Sequence, residues 1–351
     1  MRLLMIKILY RNLTVITVIT FSSVMLASCK KESVSIKTEL QTYTGNLKFE
    51  FLPQSIEKVF SSQTTWEARA LAYFNIIKEE TDWCMFYYSL AYNQLEFDGS
   101  FCLAKSFDGD TWSRTLINNN TNILIRGYDK KGITGNFVFI DSFDTQFRYK
   151  LICGKLVNDE QKTFLYASAD GVKWKMVKQL FNLMQDSQFS AICMNGKYYV
   201  FSRFNDYTGK FQRAIGLSLL DKNFNVIQQP GLLLEAQPND PFPHIYNSAA
   251  SKINDSSVLF FPTYYDDDNG IQIKLLYTNN MKDYYLVNNN INKELFPGGG
   301  VRWAIVSPGL IPTQDRNTYW LYYYGTKAKH NDFAVSRKID VSYYRIKLVI
   351  H

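Results

Sequence analysis

The sequence predicts an all-β chain folded as a five-bladed β-propeller of four-stranded antiparallel blades. Three observations carry that expectation. A specific turn is written twice, "SFDGDTW" at 106–112 and "SADGVKW" at 168–174. Aromatic strands recur at a spacing near 60 residues. No capped run keeps the 3.6-residue period of a long helix. Each copy of the turn follows an apolar strand, "FCLAK" or "FLYA". Its Asp-Gly pair supplies the positive φ that a tight hairpin demands. The Ser hydroxyl and Asp carboxylate can bond the turn's own amides, and the Trp opens the next strand and packs over the turn.

Weaker copies continue along the chain and place Ser218, Thr278 and Ser336 in the same series. From Ser106 onward the five hydroxyls are separated by 62, 50, 60 and 58 residues. Aromatic strands keep step with them: "WCMFYYS", "RYKLICG", "KYYVFSR", "SVLFFPT" and "YWLYYYG". One apolar strand precedes each of these, namely "ALAYFNII", "NFVFI", "FSAICM", "SAASKI" and "AIVSPGLI". Loops rich in Asn, Asp and Gly separate them. A unit of strand, strand, turn, strand at a fixed period is repeat architecture, and four short antiparallel strands per unit make a propeller blade. Five units span roughly residues 66–350. Either "GNLKFEF" (45–51) or the terminal "YYRIKLVIH" completes a blade and closes the ring. A β-sandwich that does not close is the alternative; two landmarks sharing one period favour the propeller.

The N-terminus reads differently. Arg2, Lys7 and Arg11 form a basic start, an apolar run extends from Leu13 to Leu26, and the stretch closes on "LASC". This is the pattern of an export signal. "LASC" resembles the bacterial lipobox, which implies cleavage before Cys29 and lipidation there. The expected organisation is a lipoprotein signal at 1–28, a polar tether at 29–44 and the propeller at 45–351. Lys30 stands where an Asp would suggest inner-membrane retention. The expected location is therefore the outer membrane of a Gram-negative cell, on its periplasmic face or at the cell surface. No other stretch approaches the roughly 18 apolar residues of a membrane span. Removing the leader takes three of the 39 Lys and Arg and none of the 32 Asp and Glu, which leaves a mature charge of +4. So mild a charge, evenly spread, argues against nucleic acid as a partner. Aromatic residues make up 16% of the chain, which suits both β-sheets and sugar-stacking surfaces.

Four cysteines remain after Cys29: Cys84, Cys102, Cys153 and Cys193. None forms a C-x-x-C pair, so a zinc site is not expected. An export compartment permits a Cys84–Cys102 bridge, but buried free thiols fit their apolar surroundings better. "YYDDDNG" (264–270) lacks the spaced ligands of a calcium loop and reads as a solvated hairpin turn. No metal or cofactor is expected, and the chain is expected to be a monomer.

The two turns resemble the Asp-box turns of sialidases and the S-x-D-G-x-x-W turns of five-bladed glycosidases of the arabinanase, xylosidase and invertase types. "WEARALAYFNI", "DSQFSAICMNGKYYVFSR", "RAIGLS", "NDPFPHIYN" and "YWLYYYGTKAKH" also occur in the order seen in bacterial five-bladed proteins labelled glycoside-hydrolase-like. The likeness covers essentially the whole mature chain. It implies a propeller with the Asp-box turns on the outer blade edge, away from any central site. The family motifs of chemistry are missing: there is no W-x-N-D-P-N run, no Asp-Pro opening blade one, and no F-R-I-P with an arginine triad. No catalytic set can be carried across.

Candidate site residues follow instead from the architecture, because the starts of the innermost strands converge on one mouth of the central channel. Blade one offers Trp66, Glu67 and Arg69, blade two Asn136, and blade three Asp186, Ser187 and Gln188. Blade four offers Asp240, His244, Tyr246 and Asn247, and blade five Arg302 and Trp303. His330 follows a blade-five strand and could reach the same mouth, while Arg203 and Arg213 could orient sugar or carboxylate groups. Glycoside hydrolysis needs two carboxyl groups across one bond. Glu67 as acid and Asp186 as base or nucleophile are the expected pair, with a salt-bridged structural role as the alternative for each. The expected partner is a carbohydrate. The chain reads as a glycosidase acting on an extracellular saccharide, or else as a glycan-binding lipoprotein without catalysis; nothing speaks for a purely structural propeller. If both carboxylates face one cavity the first reading gains, and if either points into a blade the second does.

Overall fold

The computed structural model describes residues 40–351, apart from 93, 95–97, 118–119, 128–131, 183–185 and 207–211. The expected signal, Cys29 and most of the tether lie outside the described residues. Strands β1 (Gln41–Thr42) and β2 (Phe49–Ser61) precede the first blade. Blade one holds β3 (Ala70–Lys78), β4 (Trp83–Leu90), β5 (Ser100–Ser106) and β6 (Ile123–Ile125). Blade two holds β7 (Ile133–Ile140), β8 (Tyr149–Val157), β9 (Glu160–Ser168) and β10 (Lys175–Phe181). Blade three holds β11 (Ser190–Met194), β12 (Lys197–Asp206), β13 (Gln212–Leu220) and β14 (Val226–Leu234). In blade four, β15 (His244–Lys252) and β16 (Val258–Asp266) are followed by a third position split between β17 (Gly270–Ile273) and β18 (Leu275–Thr278), then β19 (Tyr285–Asn288). Blade five holds β20 (Trp303–Pro312), β21 (Thr318–Thr326) and β22 (Ser342–Ile350).

Strands β3, β7, β11, β15 and β20 touch in turn around a closed ring, which makes the molecule a five-bladed β-propeller. Both ends of the chain close it. The N-terminal β2 pairs antiparallel with β22, from Phe49 opposite Ile350 to Ser61 opposite Ser342. It thereby supplies the outermost strand of blade five. The same joint is aromatic: Phe74 of β3 stacks on Tyr343 of β22 at 3.9 Å, and Phe60 of β2 packs against both Tyr343 and Tyr87. The four cysteines are unpaired, three of them buried and Cys193 half-buried.

The repeated turn behaves as its residue types require. Ser106 Oγ accepts from the amides of Asp108 and Gly109, and Asp108 Oδ1 accepts from those of Asp110 and Thr111. The blade-two turn repeats all four bonds from Ser168 and Asp170. Gly109 takes φ +75°, and a Cβ there would lie 2.6 Å from the Trp83 ring, so only glycine fits. Blade four writes a variant in which Thr278 and Asn280 replace Ser and Asp. These turns also join blades. Tyr322 of blade five donates to Gly109 O (2.8 Å), and Trp174 of blade two meets Phe86 and Phe101 of blade one edge-on. Two members of the hydroxyl series differ from expectation. Ser218 donates to Val200 O within its own sheet, while Asp221 builds the nearby turn. Ser336 ends a short helix, Asp332–Val335, before the third strand of blade five. Their spacing matched because the blades have similar lengths, although the turn itself was not copied.

Candidate functional site

The inner strands are not regular, and their irregularities build the site. Register shifts interrupt β3 between Ala72 and Phe74, β7 between Thr134 and Phe137, β15 between Ile245 and Ser248, and β20 between Val306 and Leu310. A bulge bends a strand and re-aims a side chain. At Tyr73 the backbone takes φ +25°, a strained value for a non-glycine residue. Its hydroxyl donates to the carbonyl of Asp186 (2.6 Å) and so accepts from that of Tyr246 (2.6 Å), linking blades one, three and four. Farther along the same strand the Phe74 carbonyl accepts from Gln188 of blade three and Ser307 of blade five. Asn136 of blade two donates to Tyr73 O. The polar starts of blades two and three thus tie the inner strands together.

Around Tyr73 lies a cavity of about 450 Å³, lined by Arg69, Tyr88, Asp186, Arg213, Tyr246, Trp303, Tyr324, His330 and Phe333 among others. Tyr246, Trp303 and His330 form one wall, and Tyr265 packs behind them. The His330 imidazole lies 4.7 Å from the Trp303 ring, 4.9 Å from Tyr265 and 5.2 Å from Tyr246. Tyr246 meets Trp303 edge-on at 4.7 Å. His330 Nδ1 is 3.0 Å from Asp267 Oδ1, which orients the ring. Burial, and next the positive charge of Arg213, hold the His330 pKa below its ordinary value. Asp186 is the one carboxylate among the described lining residues, and it forms an ion pair with Arg203.

Sequence reasoning named six residues that the structure brings together: Arg69, Asp186, Arg213, Tyr246, Trp303 and His330. Arg69 is a positioning residue. Its guanidinium donates to the carbonyls of Phe333, Ser336 and Gln94, pinning the loop that carries His330. The other candidates lie elsewhere. Glu67 is fully buried in the body of blade one and does not share the cavity with Asp186, so the expected carboxylate pair is not assembled. It accepts from Tyr87 (2.5 Å), twice from Arg114 (2.7 and 2.9 Å), and from the amides of Gln63 and Thr64. It fastens the segment leaving β2 to blade one. Trp66 beside it donates to Asn122 Oδ1. Asp240 pairs with Lys274 (3.0 Å) and accepts from the Gln237 amide, which stiffens its loop. Arg302 is exposed and donates to Asp268 O. His244 stands behind the wall, its Nδ1 accepting from the Arg213 amide and its ring 5.3 Å from Tyr265.

Tyr73, Tyr88 and Asp267 were missed. Tyr73 follows Leu71 and Ala72 in the inner strand, and the bulge between Ala72 and Phe74 turns it inward. Asp267 belongs to "YYDDDNG", and the solvated-turn reading of that run accounts for Asp266, whose carboxylate accepts from the amides of Asp268 and Asn269. It does not account for Asp267.

The lowered His330 pKa has a measurable consequence. Below about pH 6.5, the ordinary imidazole value, the unfolded chain takes up a proton that folded His330 resists. The unfolded state then binds more protons, so stability falls as pH drops through that value towards the folded pKa. His330→Gln should therefore show a flatter melting temperature between about pH 7 and 5 than the parent. Parallel slopes in thermal melts across that range would contradict the burial assigned to His330.

No protein-family model and no curated protein matches the chain. Solved structures do. The alpha-L-arabinofuranosidase of Podospora anserina, crystallised with cellotriose, superposes with a TM-score of 0.57 at 9% identity over 83% of this chain and 95% of that one. An alpha-L-arabinofuranosidase from Lactobacillus brevis gives 0.58 at 9% identity over 78% and 89%. A family 117 glycoside hydrolase of Zobellia galactanivorans gives 0.55 at 11% over 86% and 90%. At such identities the likeness establishes the shared propeller fold.

Proposed function

We propose that the cavity at the channel mouth recognises a saccharide. The observation that carries this is the ring cluster of Tyr246, Trp303 and His330, backed by Tyr265 and set with Asp186, Arg213 and Tyr73 in one concave site. Aromatic faces accept the C–H faces of a sugar, while a few convergent polar groups fix its hydroxyls. The volume falls within the roughly 300–1,000 Å³ of small-molecule sites. The glycoside hydrolases that share the fold support the same ligand class.

A second reading, hydrolysis of the bound glycoside, is favoured by one specific feature. Asp186 and His330 line the same cavity, and Asp267 holds His330 Nδ1 and leaves Nε2 as the atom able to deliver a proton. Asp186 would then activate water and His330, protonated only at acid pH because burial lowers its pKa, would protonate the departing oxygen. Glu67 has no part in it. Calorimetric titration against a glycan panel, paired with aryl-glycoside and polysaccharide hydrolysis, tests both readings. At least one glycan should bind, and Tyr246→Ala should abolish that binding. A folded parent protein that binds no glycan would overturn the proposal. Hydrolysis by the parent supports the second reading, and binding without turnover leaves recognition alone.

Membrane attachment through Cys29 belongs to the same proposal, since a tethered propeller would present its mouth to extracellular glycan. Cys29→Ser should abolish incorporation of radiolabelled palmitate and release the protein from the membrane fraction. Unchanged partitioning would refute the lipid anchor.

A further inference from the structure

Two arginines, Arg69 and Arg213, line the cavity and a third, Arg203, reaches it through Asp186; their partners differ. Arg69 donates to three backbone carbonyls. Arg203 forms its ion pair with Asp186. Arg213 donates its backbone amide to His244, but its guanidinium bonds no described residue, and its Nη1 is sealed from solvent without a partner. The guanidinium carbon lies 5.6 Å from the Tyr246 ring centre and 5.7 Å from that of Tyr265. Both rings pack beside it.

An arginine is charged at every accessible pH, and a sequestered charge without a hydrogen-bonded counter-charge is costly. The one carboxylate of the described lining, Asp186, acts on Arg213 through space but is bonded by Arg203, so among the described residues no carboxylate bonds the Arg213 guanidinium and a ligand can supply one. Sugar hydroxyls could fill the hydrogen bonds but would leave the charge uncompensated. A carboxylate does both, because its two oxygens match the flat guanidinium fork.

We propose that the saccharide taken by this cavity is acidic, a uronic-acid glycan whose carboxylate pairs with Arg213. The inference rests on the saccharide reading above and narrows it. The lining rings of Tyr246, Trp303 and His330 hold the apolar face of the same sugar.

The test compares each uronic-acid oligosaccharide with its carboxyl-reduced counterpart, which differs only in lacking the charge, by calorimetry on the parent protein. Sulfated neutral oligosaccharides form a third arm. The acidic form should bind at least about tenfold more tightly, as expected for a charge-assisted pair, and its affinity should fall with added salt. Arg213→Gln should bring acidic and reduced forms to the same affinity, and Arg213→Lys should keep part of the difference. Equal affinities for acidic and reduced sugars in the parent protein would overturn the acidic assignment while leaving a saccharide site intact. Binding of the sulfated arm alone would overturn it in favour of a sulfate ester. Binding of none would remove both readings together. The comparison within the parent protein decides the matter even if the Arg213 variants fail to fold.

Discussion

Glu67→Ala is expected to destabilise the propeller by about 3–5 kcal/mol, the usual result of breaking one partner of a buried, hydrogen-bonded ion pair. The carboxylate is fully enclosed and the Arg114 side chain is only 9% exposed. The alanine variant would strand the guanidinium in blade one beside the Phe60 ring, 4.1 Å away. It would also free the amides of Gln63 and Thr64 and the hydroxyl of Tyr87. Because these groups join the end of β2 to blade one, the loss falls on ring closure. Urea unfolding measures it. Glu67→Gln keeps the shape and one acceptor oxygen and should cost less. A folded Glu67→Gln protein should retain the saccharide affinity of the parent. A large loss of turnover in that variant, with stability preserved, would restore Glu67 to chemistry and contradict its structural assignment.

Asp186→Asn is expected to do the opposite. If the parent hydrolyses a glycoside, this change should lower kcat by about two to four orders of magnitude, the scale of a positioned general base. Sugar affinity should change only a few-fold, since the amide oxygen can still accept from Arg203 and the Asp186 carbonyl still accepts from Tyr73. Binding without rate is the signature of a group needed only in the transition state. An unchanged kcat would exclude Asp186 as the base. The contrast between the two acids is physical. Glu67 receives five donors from the protein, whereas Asp186 forms one ion pair at the rim of a cavity.

Much of the architecture was legible because it is written locally. The Ser-x-Asp-Gly turns, the aromatic second strands and the apolar first strands each depend on residues close in sequence, so period and blade order could be read directly. The choice between the two chain ends as closing strand could not. β2 and β22 pair with each other across some 300 residues, and nothing local in either strand names its partner. The site was legible in part for the same reason. Asp186, Tyr246 and Trp303 are polar or aromatic residues at or near inner-strand starts, and that position alone places them at the mouth. Glu67 also precedes an inner strand, but the segment after β2 turns it into the blade, where Arg114 and Tyr87 meet it.

From sequence alone came the expectation of an export leader, five similar all-β units, outer hairpin turns of defined chemistry and a shortlist of mouth residues. Those follow from turn stereochemistry, alternation and period, which act over fewer than ten residues at a time. The tertiary structure alone decided which candidates meet. The bulge at Tyr73 aims a side chain that regular alternation would have placed elsewhere. Asp267 reaches His330 across 63 residues, and Arg213 comes to rest beside two rings with no acceptor among the described residues. Bulges, loop ends and charge pairing answer to neighbours supplied by other blades, so their outcome exists only once the ring has closed.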